Sequence, residues 1–247
     1  MHLKSHRFVF DNSSEIILEI KGGEGGEDSK LFVNTLYEAY SKYIMKNNLK
    51  EELLHKETGN IATRINGKDA YKLFKYESGC HVVQRVPSNG KGKRHTSVVV
   101  VGILPMPPDN SYIPLPESEL KIIQQRGKQG AGGQNVNKVA SACRITHLPT
   151  GIMVFINGRD FHKNKKNAIN IITLKVNEQR IQKQNSQYNN IRKSALGNSS
   201  RGNKIRTYSF IESRAVDHRF NIKTSNIKAV MNGEINLLLP QEVKAND

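Results

Sequence analysis

The chain has 247 residues and carries 38 Lys and Arg against 22 Asp and Glu, a formal net charge of +16. That length allows one to three compact domains with real cores, and 36% hydrophobic against 24% charged residues suits a water-exposed globular chain. No stretch reaches the roughly 18 uninterrupted apolar residues of a membrane helix, and the two distant cysteines, Cys80 and Cys143, exclude a disulfide framework.

Met1 to Phe10 mixes basic and aromatic residues without the apolar core or small-residue cleavage site of an export signal. A cytoplasmic location, or an organellar matrix in a eukaryotic source, is therefore expected, with isolated structural thiols. No membrane, metal or cofactor is expected. The excess charge points to a polyanion, most commonly nucleic acid. It is also localised: from Lys121 to Arg206, 17 Lys and Arg face only Asp160 and Glu178, a net charge of +15. Lysine enrichment from AT-rich coding would scatter charge along the chain, so its confinement favours a functional reading.

In chain order, Glu15-Ile-Ile-Leu-Glu-Ile20 alternates as a strand does. After Gly22-Gly-Glu-Gly-Gly26, a helix is expected from about Ser29 to Met45. Leu31, Phe32, Leu36, Ala39, Tyr40 and Tyr43 recur there at three- and four-residue spacing, an apolar face. Asp28 or Ser29 is the expected cap, and Glu27 with Asp28 suits the positive end of the helix dipole. Strand-like runs follow at Asn60 to Ile65, Ala70 to Tyr76 and Thr96 to Leu104, with an exposed loop from Pro87 to His95. Pro105 to Pro116 reads as a semi-rigid linker.

A second domain begins near Glu119. Cys143 to His147 and Ile152 to Ile156 are strand runs joined by Leu148-Pro-Thr-Gly151, a hairpin signal. A long polar helix is expected from about Lys163 to Ala195, with Ile169, Ile172 and Val176 as its narrow apolar stripe. Gly197 to Asn203 reads as a flexible linker, and Ile205 to Leu239 returns to mixed strand and helix character. No internal repeat is present. The expected class is α+β, with segments 1–105, 106–118 as linker, 119–196, 197–206 as linker, and 207–247 packing back on the first.

Gly130-Ala-Gly-Gly-Gln134 is the most informative pentapeptide. It is a loop nearly without side chains, with one amide at its tip. Glycines adopt backbone conformations closed to other residues and allow close approach to a ligand. No carboxylate pair, Ser-His-Asp order or metal cluster sits beside it. A catalyst built this way works through backbone N–H donors and positioning, each donor contributing about 3–4 kcal/mol in a preorganised site. A nucleotide loop would need a Lys-Ser/Thr ending that is missing, and a plain turn is the bland alternative.

The surrounding residues bear on that choice. Gly130-Ala-Gly-Gly-Gln-Asn-Val-Asn-Lys138, Ser141-Ala-Cys-Arg-Ile-Thr-His-Leu-Pro-Thr-Gly-Ile152 and His162-Lys-Asn-Lys165 strongly resemble the catalytic domain of bacterial-type class I peptide chain release factors. The resemblance implies a loop that enters the ribosomal peptidyl transferase centre, where Gln134 promotes attack of water on the peptidyl-tRNA ester. Gly132 and Gly133 set the backbone geometry, and the chain triggers hydrolysis on the ribosome rather than acting as a stand-alone enzyme. It also implies that Gln134 is the substrate of a glutamine methyltransferase. Arg126, Lys128, Lys138, Arg144, Lys163, Lys165 and Lys166 become rRNA-backbone contacts, which position rather than specify. A monomer is expected, partnered by rRNA, an mRNA stop codon and P-site peptidyl-tRNA.

Upstream, Gly25-Gly26 before the first helix, Tyr76-Glu-Ser-Gly79, Val83-Gln-Arg-Val-Pro87 and Arg94-His-Thr-Ser97 resemble the family's decoding domain, as do Arg206-Thr-Tyr208 and Val216-Asp-His-Arg219 near the other end. The implied fold is a decoding superdomain of sheet and helices, plus a separate basic α+β domain with a mixed sheet and a long helix. By resemblance the helix start at Gly25, Gly26 and Asp28 meets the first base of the codon. His95 stacks on codon bases, and Gln84 and Thr96 address the third base. Glu27-Asp28 inverts the family's usual Asp-Glu order. Pro87, Ser88 and Asn89 occupy the specificity loop, but Val86-Pro-Ser-Asn89 matches neither the Pro-x-Thr of factors reading UAA and UAG nor the Ser-Pro-Phe of those reading UAA and UGA.

The codons read therefore stay open. Few residues precede the strand at Glu15, so a shortened form without the usual N-terminal helical domain is expected. The alternative is an accessory rescue factor acting on stalled or damaged ribosomes without standard codon specificity. The end of the chain, Leu237 to Asp247, is not the basic tail of small rescue hydrolases.

Overall fold

The regular elements are, in chain order, β1 (Glu15–Gly22), α1 (Gly26–Lys46), β2 (Lys50–Glu57), β3 (Asn60–Asn66), α2 (Ala70–Phe74), β4 (Gly79–Arg85) and β5 (His95–Leu104). They continue with β6 (Leu120–Gln125), β7 (Ala142–His147), β8 (Met153–Ile156), α3 (Phe161–Leu196), β9 (Lys204–Ser209), β10 (Arg214–Asp217), β11 (Ile222–Thr224) and α4 (Ile227–Met231). This computed structural model describes residues 14–86, 92, 94–107, 110–126, 140–196 and 201–240. The chain forms two units, residues 1–106 with 189–247, and residues 107–188. The fold is α+β, with a large mixed sheet and a long helix. Among the described residues no helix is long and apolar enough to cross a membrane.

Unit 1 is built on an eight-stranded sheet in the order β11-β10-β9-β4-β5-β1-β3-β2. Neighbours pair antiparallel except β4 and β9, which run parallel. Parallel neighbours need a long crossover, and here the connection includes β5 and the whole of unit 2. Ile16, Leu18 and Ile20 of β1, Ile61 and Ile65 of β3, and Val99 and Val101 of β5 share one core with Phe32, Leu36, Tyr40 and Tyr43 of α1. Leu31, expected on that helix face, is 41% exposed. Leu31 precedes Phe32 and is turned about 100° around the axis, to the side away from buried Val33, Leu36 and Tyr40.

Two further expectations change. Ala70 to Tyr76, expected as a strand, contains the short helix α2. Ala70 and Phe74 are both buried, and a four-residue spacing satisfies strand alternation and helical repeat alike. The side chain of neither Asp28 nor Ser29 caps α1: Gly25 is the cap residue and no side chain accepts there. Three strands, β2, β4 and β6, were not anticipated. The exposed run Lys50–Glu57 lacks strand alternation and becomes a strand through its antiparallel partner β3.

Beneath the sheet, the family-like runs around Glu77, Arg206, Asp217 and Arg219 meet in a buried ionic cluster. Fully buried Arg206 donates through Nη1 to Glu77 Oε2 at 2.5 Å and through Nε to Asp217 Oδ2 at 2.9 Å. Tyr40 Oη donates to Glu77 Oε2 at 2.9 Å, and Arg219 Nη2 donates to Asp217 Oδ2 at 2.7 Å. Burial pushes the Asp217 carboxyl upward, but Arg219 and Arg206 outweigh it and hold it below the usual range. His81 Nε2 lies 2.9 Å from the Glu77 carbonyl and Nδ1 lies 3.1 Å from Tyr208 Oη. A carbonyl only accepts, so Nε2 carries the proton and Nδ1 accepts from the tyrosine. On the other sheet face, the last turns of α3 are anchored by Arg192, whose Nε and Nη2 donate to the two carboxylate oxygens of buried Glu19 at 2.8 and 2.6 Å.

Unit 2 packs α3 on one face of the three-stranded sheet β6-β7-β8. Leu120, Cys143, Ile145 and Val154 meet Ala168, Ile172 and Val176. All described strand pairs here are antiparallel, so the mixed sheet expected of this unit belongs to unit 1 instead. Ile113, within the expected linker, exchanges two backbone hydrogen bonds with the Asn177 side chain at 3.0 and 2.9 Å. Both cysteines are buried and neither forms a disulfide, and burial pushes both thiols up.

Candidate functional site

In unit 1 the start of α1 is stitched to β5. Gly23 N donates to Val98 O at 2.8 Å, and Val98 N donates to Glu24 O at 2.6 Å. Gly25 has φ +126°, and a Cβ there would stand 2.5 Å from the Ser97 Cβ, so only glycine lets the two backbones meet. Gly26, at φ +59°, faces open space. Helix starts leave their first N–H groups without intrahelical partners, and here the cap residue, Gly25, has no side chain to satisfy them.

The β4–β5 pair supplies the side chains. Gln84 stands opposite Thr96, and Arg85 opposite His95. Directly opposed residues share a sheet face and successive residues alternate. Arg85, His95 and Ser97 therefore lie on the α1 side, with Gln84 and Thr96 on the other. The His95 ring is exposed, and Gln84 Oε1 accepts from Arg94 Nη2. Gly25, Gly26, Gln84, His95 and Thr96 thus gather at one end of the sheet. Pro87, Ser88 and Asn89 lie outside the described residues.

Asp28 behaves differently. It is 4% exposed and points inward. Its Oδ1 accepts from Arg85 Nε at 2.8 Å and its Oδ2 accepts from Ser97 Oγ at 2.8 Å. The Arg85 guanidinium also lies 5.6 Å from the centroid of the Phe32 ring. Nothing in the sequence marks Arg85 and Ser97 as site residues. Their runs were visible in the sequence, but a pairing across 57 and 69 residues was not.

In unit 2, Gly132, Gly133, Gln134, Lys128 and Lys138 lie outside the described residues. The flanks of that segment are held side by side: Gln125 pairs with Ala142, and Gln124 Nε2 donates to Ala140 O at 2.6 Å. Buried Asn164 donates from Nδ2 to Ser141 O at 2.9 Å, tying the first turn of α3 to the same point. Asp160 caps α3, its Oδ1 accepting from His162 N at 2.8 Å and Lys163 N at 3.3 Å. Arg126, Lys163 and Lys166 are exposed, and Lys165 is half-buried. Arg144 stands between Ile123 and Phe155 on the sheet face away from α3, so it does not share a surface with the α3 lysines.

Two protein families match the chain: the PCRF domain over residues 8–101 and the RF-1 domain over residues 109–219. Peptide chain release factor 1 of Borrelia hermsii is 43% identical over 237 residues, covering 93% of this chain and 66% of that protein. The same-named protein of Borreliella burgdorferi (strain ZS7) is 41% identical over 252 residues, covering 96% and 70%. The chain thus spans just under two thirds of the Borrelia hermsii protein. Among solved structures, RF2 of Thermus thermophilus matches with a TM-score of 0.54 and 28% identity, over 97% of this chain and 70% of that one. The match extends through both family domains at an identity well above that of chance resemblance, and the chain belongs to the peptide chain release factor family.

Proposed function

We propose that this protein ends translation at stop codons, promoting hydrolysis of peptidyl-tRNA in the ribosomal peptidyl transferase centre. The observation that carries the reading is the junction in unit 1, where the α1 start with its glycine cap is held on β5 beside Ser97, at the end of the sheet where His95 lies on the same face and Gln84 and Thr96 on the opposite one. Sequence-specific recognition of single-stranded RNA uses base edges and ring stacking. An exposed imidazole suits stacking, and an amide paired with a hydroxyl suits hydrogen bonding to a base. Glu24 and Glu27 crowd the helix start with negative charge, which disfavours a phosphate there and suits a neutral carbonyl acceptor of the first base. Asp28, Pro87, Ser88 and Asn89 complete the proposed codon-reading set.

The chemistry is assigned to Gly132, Gly133 and Gln134, a bare peptide tip offering backbone N–H and amide to the ester. Arg126, Lys128, Lys138, Arg144, Lys163, Lys165 and Lys166 contact rRNA phosphates, and these contacts weaken with salt. A methyltransferase modifies Gln134, and the factor works as a monomer in the cytoplasm or an organellar matrix. Residues 1–105 and 207–247 form the codon-reading part, and 119–196 the hydrolytic part.

The test measures release of labelled nascent peptide from ribosomal complexes programmed with UAA, UAG, UGA, a sense codon or truncated message. Release at one or more stop codons, with background elsewhere, is expected. Equal release with a sense codon or no codon would overturn codon dependence. No release anywhere, with Gln134 methylated, would overturn the reading as a whole.

A further inference from the structure

We infer that Arg85 and Ser97 are positioning residues for codon discrimination: they clamp the inward-facing Asp28 carboxylate and so set where the α1 start presents its backbone donors. The inference rests on the codon-reading role proposed above. Both oxygens of Asp28 are used, Oδ1 by Arg85 Nε and Oδ2 by Ser97 Oγ, each at 2.8 Å. Arg85 also reaches the Asp28 carbonyl with Nη2 at 3.5 Å. One carboxylate therefore joins three elements, α1, β4 and β5.

The clamp is directional. Arg85 is cross-strand from His95, and Ser97 follows two residues later on the same face. Ser97 fills the space that a Gly25 side chain would need. A shift of the helix start relative to the hairpin would break both hydrogen bonds and open the Gly25–Ser97 contact. The same two residues that hold Asp28 thus sit beside the proposed reading groups, Arg85 cross-strand from His95 and Ser97 next in the strand to Thr96. Hydrogen bonds weaken steeply as distance and angle depart from their optimum, so a clamp this close to the reader acts on discrimination. Arginine is suited to it because its planar group donates to Asp28 while lying over Phe32, which lysine cannot reproduce. The inverted Glu27-Asp28 order belongs to the same geometry: the shorter carboxylate at position 28 spans the gap to both donors.

The experiment compares the parental protein with Ser97→Ala and Arg85→Lys, titrating each against ribosomal complexes carrying a stop codon or the same codon altered at its first base. Losing a hydrogen bond to a charged group predicts an approximately tenfold rise in half-saturating concentration at the stop codon. First-base discrimination should fall by a similar factor, with the maximal release rate unchanged. Ser97→Ala removes one donor and adds no bulk, so it decides the matter if Arg85→Lys fails to fold. A folded Ser97→Ala protein with unaltered first-base discrimination, or one impaired equally on every codon, overturns the clamp while leaving codon reading intact. A parental protein that releases at no stop codon overturns the codon reading and the clamp with it.

Discussion

At Gln134 the proposed chemistry separates a side chain from a backbone. Gln134→Ala keeps the N–H donor, whereas Gln134→Pro removes it. Release should persist at a reduced rate in the alanine variant. In the proline variant it should fall by a further factor of about 10²–10³, the usual effect of deleting one oxyanion donor. Single-turnover release rates from stop-codon complexes check this, and equal rates in the two variants would remove the backbone from the mechanism. Asp28 shows the opposite division of labour. Its side chain is spent inside the fold on Arg85 and Ser97, so the proposed codon reading at the helix start falls to the backbone. Arg206 is a purely structural counterpart, fully buried between Glu77 and Asp217. Removing one partner of such a cluster leaves an uncompensated buried charge.

The junction of β5 with α1 is where conformation and packing can be told apart. Gly25 and Gly26 both have positive φ, but only Gly25 abuts Ser97. Gly26→Ala should cost about 1 kcal/mol of unfolding free energy, the strain of a left-handed residue. Gly25→Ala should cost on the order of 3 kcal/mol, because overpacking adds to strain. Urea unfolding midpoints of the two variants measure the difference, and equal midpoints would remove the close approach to Ser97. The other elements show why some were legible and others not. The apolar stripes of α1 and α3 repeat at helical spacing and can be read directly. Ala70 with Phe74 fits either period, and Lys50–Glu57 has no strand alternation at all, so both were decided by what they pack or pair with.

Across the whole molecule the buried ionic cluster makes stability depend on pH. Burial, with Arg206 nearby, holds the His81 pKa down to about 3 from 6.5. The unfolded chain takes up the proton near pH 6.5 and the folded chain does not until about pH 3. The stability from neutral His81 is therefore complete above pH 6.5 and is lost as pH falls towards about 3. Between pH 6.5 and 5 the loss is about 2 kcal/mol. Asp217 and Glu19, both held below the usual carboxylate range, extend the loss in the same direction at lower pH. Urea unfolding at pH 7 and 5 should show the decline, and His81→Gln, which gains no proton, should flatten it over that window. An unchanged slope in His81→Gln would assign the pH dependence to the carboxylates.

Much of this protein is written in local order along the chain. The +15 segment, the Gly130–Gln134 motif, the α1 and α3 stripes and the family-like runs are all contiguous, and contiguous patterns survive without a fold. Three-dimensional structure alone decided the rest, because it depends on residues far apart in sequence: the parallel β4–β9 pairing across an entire unit, the meeting of Glu77 with Arg206 and Asp217, and the inward turn of Asp28. A buried charge must find its counter-charge wherever the chain brings one, and no spacing rule records where that is. That is why Gly25, Gln84, His95 and Thr96 could be proposed from the family-like runs, while the bonds of Arg85 and Ser97 to Asp28 could not.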